Sequence, residues 1–140
     1  MNARNIAYWS TTALLAAAVL GSGLGKLAGA EPLVESMAHL GYPTYLLTIL
    51  GAWMVAGAVV LLAPGFARVK EWAYAGIVFQ MTGAFASHLF AGDAIATAAP
   101  TLFLTGLAVA SYMLRPESRR IVTVGTPANS PVRPAVRAAA

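Results

Sequence analysis

Four long apolar stretches, at about residues 6–27, 45–62, 73–90 and 97–114, crowd into a chain of 140 residues. Each is close to the ~20 residues an α-helix needs to cross the hydrocarbon core of a bilayer. The expected fold class is therefore all-α: an integral membrane four-helix bundle. Function must then come from the few polar groups kept inside or beside the bilayer, where they are costly.

Composition agrees. Hydrophobic residues make up 59% of the chain and charged residues 10%, against about 25% charged in a soluble domain. The length allows one domain, a membrane part over 1–115, followed by 116–140. There is no cysteine, so disulfides, thiolate catalysis and cysteine-held metal or iron–sulfur centres are excluded within the chain.

The net charge of +4 does not point to nucleic acid, because the basic residues lack aromatic interleaving and a nucleic-acid fold. They report orientation instead. With four spans, Arg4, Arg68, Lys70, Arg115, Arg119, Arg120, Arg133 and Arg137 fall on one side, and only Lys26 on the other. The positive-inside rule then puts both termini in the cytoplasm of an inner (plasma) membrane. The 1–2 and 3–4 connections face outward. Arg4, the apolar stretch and Ala28-Gly29-Ala30 also resemble a cleavable secretory signal. Lys26 and the glycines beside that site argue against cleavage.

In segment one, Gly21, Gly25 and Gly29 recur every four residues. This small-residue face suits close helix packing within the bundle, or a homodimer contact. The first connection carries Glu31-Pro32 and then Leu33, Met37 and Leu40 at i, i+4, i+7, before Gly41. A short amphipathic helix is expected there. Segments two and three are joined by a short link and should be antiparallel neighbours. Segment three is the most polar: Gln80, Ala84, Ser87 and His88 share one face that should point into the bundle. Pro100 is expected in the first turn of segment four, where its missing N–H is tolerated. Residues 116–140 hold four prolines and several arginines and read as a disordered basic cytoplasmic tail able to lie on anionic lipid.

One constellation stands out. Lys26, His39, His88 and Asp93 all fall at the outer end, with Gln80 deeper in segment three. No comparable group is expected at the inner end. The bland reading has Lys26 snorkelling to water and His88 bonded to backbone, with the carboxylates solvated. The functional reading is a polar ligand-binding pocket at the mouth of the bundle. It could bind a quinone head group through Lys26 and His88, or relay protons through His88 and Asp93. No H-x-x-x-H or H-E-x-x-H pattern supports a metal site. Two histidines on the outer side fit a buried haem poorly. No nucleophile elbow is present, and the chain has no complete catalytic set.

Several motifs occur together: Ser22-Gly23-Leu24-Gly25-Lys26-Leu27, Met37-Ala38-His39-Leu40-Gly41-Tyr42-Pro43, Lys70-Glu71-Trp72-Ala73-Tyr74-Ala75-Gly76, Thr82-Gly83-Ala84, Ser87-His88 and Gly92-Asp93. In this order, over about residues 6–115, the chain resembles the DoxX-like family of small membrane proteins. The resemblance implies a four-helix membrane bundle. It also implies a link to membrane oxidoreductases, since the family name comes from the small subunit of a thiosulfate:quinone oxidoreductase. Distant animal relatives act as membrane chaperones. The expected function is thus an accessory or quinone-interacting subunit of a membrane oxidoreductase. The alternative is a non-catalytic scaffold or chaperone for another membrane protein. A quinone is the one cofactor considered, and a redox centre would be that quinone or lie in a partner. Expected partners are the lipid bilayer and another membrane protein or a second copy, with no nucleic acid.

Overall fold

A computed structural model describes residues 3–121. These form five α-helices, α1 (Ala3–Leu27), α2 (Glu31–His39), α3 (Tyr45–Leu62), α4 (Ala67–Phe90) and α5 (Ile95–Leu114), and a 3-10 turn over Glu117–Arg119. No strand occurs among the described residues. The expected tail lies outside the described residues from 122 onward.

Three helices, α1, α3 and α5, are long and apolar enough to cross a membrane. The 24-residue α4 is long enough but is not among them. Gln80, Thr82, Ser87 and His88 lower its apolar character, and Arg68, Lys70 and Glu71 occupy its start. Each of the four longest helices packs on two others, α1 on α3 and α5, and α4 on α3 and α5. The side chains of Leu15, Val19, Met54, Leu61, Ile77 and Met81 fill the core between them. Large apolar side chains also point outward. Phe79 is 75% exposed and Phe90 93%, an arrangement that suits lipid and not water.

The tightest helix contact is between α1 and α3. A Cβ on Gly51 would stand 2.9 Å from the Gly23 carbonyl oxygen, and one on Gly23 would stand 2.9 Å from Met54 Cβ. The close approach within the chain is therefore at Gly23 and Gly51, and not at the Gly21, Gly25 and Gly29 repeat. Gly21 and Gly29 would meet nothing within 4 Å, and Gly25 only Leu33. Gly29 lies beyond the end of α1 with a φ of +65°, so it turns the chain toward α2 and does not extend the stripe.

α2 forms where Pro32 and Gly41 predict it. Pro32 occupies the first turn, where no N–H is needed. Gly41 takes a φ of +75° just past the end. Two successive left-handed residues, Gly65 and Phe66, turn α3 into α4. α5 begins at Ile95, so Pro100 lies past its first turn and inside the helix, later than expected.

At the end where α3 and α5 finish, cations take the free carbonyls that every helix C-terminus exposes. Lys70 Nζ donates to Val60 O at 2.6 Å and to Ala63 O. Arg119 Nη1 donates to Leu61 O at 3.0 Å. Arg120 Nε donates to Arg115 O at 3.0 Å. Positive charge at these C-termini also complements the helix dipoles.

Candidate functional site

The site is built where α1 ends and α4 ends, under α2. A separation of four residues puts Ser22 and Lys26 on one face of α1, and Lys26 Nζ donates to Ser22 Oγ at 2.7 Å. The apolar face of α2 folds over the gap with Leu33 and Met37. α4 presents Gln80, Ala84, Ser87 and His88, and α5 adds Pro100 and Thr101. Together they enclose a cavity of about 480 Å³, within the range of small-molecule sites.

Two links hold α2 and the loop after it onto α4. Asp93 sits in the α4–α5 connection. It accepts from His88 Nδ1 through Oδ2 at 2.6 Å and from His39 Nε2 through Oδ1 at 2.8 Å. Tyr42 OH and Ser87 Oγ are 2.8 Å apart, and Ser87 Oγ donates to Gly83 O at 2.9 Å, so Tyr42 serves as the donor of the pair. The hydrogen bond from His88 first, and that from His39 second, hold the Asp93 carboxyl below its ordinary value.

Two polar groups in this region lack a matching partner. Lys26 has no carboxylate within ion-pair distance among the described residues. The Gln80 amide, near the middle of α4, has no hydrogen-bond partner among them either. Gln80 is half-buried, and a primary amide facing apolar side chains or lipid costs free energy until something polar meets it.

Of the residues expected at the site, Lys26, Gln80 and His88 line the same cavity. Asp93 and His39 do not line it but are joined to His88 at its rim. The two imidazoles bind opposite oxygens of Asp93 and do not converge on one point. No cluster of three or more His, Cys, Asp or Glu side chains is arranged to hold a metal ion among the described residues. Ser22, Tyr42 and Thr101 also belong to the site. Tyr42 carried a signal in its Gly-Tyr-Pro turn; the other two are ordinary helix residues in the sequence.

The opposite end is more polar than expected. Ser111 Oγ lies 2.6 Å from Thr12 Oγ1 and 2.7 Å from Tyr74 OH, and Thr12 and Ser111 are fully buried. Arg115 Nη2 donates to Glu71 Oε1 at 2.8 Å, and its guanidinium lies 4.0 Å from the Tyr112 ring centre. The hydroxyl trio and the Arg115–Glu71 pair link helices and fasten the bundle at that end, while Arg115 Nη1 is buried with no hydrogen-bond partner among the described residues.

The sequence profile of the DoxX-like family matches residues 10–111. No curated protein and no solved structure matches the chain. The matched stretch runs from the first helix through the fifth and includes every residue of the cavity. The chain belongs to the DoxX-like family.

Proposed function

We propose that the cavity under α2 binds the head group of a quinone, and that the protein serves a membrane oxidoreductase as an accessory or quinone-interacting subunit. The observation that carries this reading is that the Lys26 ammonium, without a carboxylate partner, and the Gln80 amide, without a hydrogen bond among the described residues, line one cavity. Both are donors, and a quinone presents two carbonyl acceptors on a flat apolar ring. Lys26 and Gln80 would hold those oxygens. His88 Nδ1 is committed to Asp93, which leaves Nε2 as the ring atom free for a ligand or a proton. A bound quinone supplies the two-electron chemistry; the chain positions it and keeps water out beneath α2.

The reading includes a topology. α4 crosses with α1, α3 and α5 to make a four-helix transmembrane domain over residues 1–115. Both termini lie in the cytoplasm and α2 lies on the outer face of an inner membrane. The eight-to-one distribution of Lys and Arg supports it, as does the packing of α4 against two of the three apolar helices, α3 and α5.

The test is binding of a one-isoprene quinone to the purified, folded chain. Removing a charged hydrogen bond costs ~1.5–3 kcal/mol, so Lys26→Met should weaken binding at least about tenfold, and Gln80→Leu somewhat less. Unchanged affinity in both variants would sink the proposal.

A second reading, a scaffold or chaperone, draws on Gly21 of α1, whose Cβ would meet nothing within 4 Å among the described residues. This leaves a small-residue spot open to a second copy or another membrane protein. It requires an association that survives replacement of Lys26 and His88.

A further inference from the structure

We infer that the groove between α3 and α4 receives the tail of the bound ligand, and that this tail is a long polyprenyl chain. The inference rests on the head-group reading above.

A second cavity of about 350 Å³ runs between these two helices, flanked by Trp53 and Trp72 with Gly57 and Gly76 between them. The indoles are 72% and 75% exposed. Leu50 and Gln80 line both cavities, so the groove adjoins the head-group site at these two side chains. The glycines are not there for helix packing. A Cβ on Gly76 would meet no atom within 4 Å, and one on Gly57 only Ile77 at 3.9 Å. They keep open a space that the chain itself does not fill.

The length of the path selects the occupant. From His88 at the head-group end to Val69 at the far end of the groove, α4 rises ~28 Å at 1.5 Å per residue. That is nearly the whole ~30 Å hydrocarbon thickness. An acyl chain from one leaflet reaches about half of it. A polyprenyl chain of many units reaches all of it. Lipid is as apolar as the groove, so selection must come from packing and not from transfer. The planar double-bonded units of a polyprenyl chain can lie against the two indole faces.

The experiment uses the full chain in lipid nanodiscs with two photoreactive probes. One is a long polyprenyl quinone with a diazirine at the tail end, the other a phospholipid with a diazirine at the acyl end. Sites are read by peptide mass spectrometry. The quinone probe should label Val69 and Trp72 roughly fivefold more than the outward-facing Phe103 and Val109 of α5, and the phospholipid probe should not. G76F should abolish the preference. It should remain folded, because its Cβ meets open space. Even labelling, or the same preference with the phospholipid, overturns the inference. If a one-isoprene quinone binds the chain while labelling is even, only the tail assignment falls. If that short quinone does not bind at all, the head-group reading falls and this one with it.

Discussion

His39 Nε2 and Asp93 Oδ1 lie 2.8 Å apart although 54 positions separate them. The bond ties the end of α2 to the α4–α5 connection, and so straps the cavity wall that α2 provides. His88 holds the same carboxylate from below. A single acidic side chain thus fixes the cover of the site to its floor.

Asp93→Ala should loosen that cover without unfolding the bundle, because the core of Leu15, Met54 and Ile77 lies elsewhere. Amides over 33–42 should exchange faster with deuterium, while those of α1 and α3 stay protected. Unchanged exchange over α2 would show that apolar contact alone holds it.

The same carboxyl makes stability depend on pH. Its folded pKa is lowered, first by the His88 bond and then by the His39 bond. The sign follows: a depressed carboxyl contributes stability that is fully present above its unfolded pKa of ~3.9 and is lost as pH falls through the folded value. Thermal unfolding in detergent should separate wild type from Asp93→Ala at pH 6, and the gap should close from about pH 4 downward. A gap that widens as pH falls below about 4 contradicts the assignment.

At the opposite end, Ser111 bonds both Thr12 and Tyr74. Ser111→Ala leaves two buried hydroxyls short of a partner, which costs ~1–3 kcal/mol. Tyr74→Phe should cost less, since Thr12 and Ser111 keep each other. Reversing that order in thermal unfolding would show that Ser111 is not the centre of the trio.

The helix contact of α1 with α3 makes a paired prediction. Gly51→Leu forces a side chain onto the Gly23 carbonyl and Leu27 and should destabilise by ~1–3 kcal/mol or more. Gly76→Ala meets open space and should be neutral or stabilise by up to ~1 kcal/mol. Equal effects in thermal unfolding would place the close approach elsewhere.

Hydropathy located the helices well. The second segment, 45–62, matches α3 residue for residue. It placed the start of the third segment at 73, six residues late, because α4 begins with Ala67-Arg68-Val69-Lys70-Glu71-Trp72. Charged residues are good helix formers that an apolar pattern does not register. That Lys26, Gln80 and His88 line one cavity was legible because polar side chains at helix ends and along one face are costly against lipid and so turn inward. The Thr12–Ser111–Tyr74 trio was not. Each is a single hydroxyl in a different helix, and no periodicity within one helix says which neighbour it will meet. The same holds for Lys70 and Arg119, whose partners are backbone carbonyls of α3.

Whether the cavity under α2 holds a quinone by Lys26 and Gln80 is decided most directly on material purified in mild detergent. Mass spectrometry would count quinone, and any other membrane protein, per mole of chain. Close to one quinone per chain is expected, with strong loss in the Lys26→Met, Gln80→Leu double variant. No quinone, with a stoichiometric membrane partner retained by that same variant, would overturn the quinone site and make the protein a scaffold.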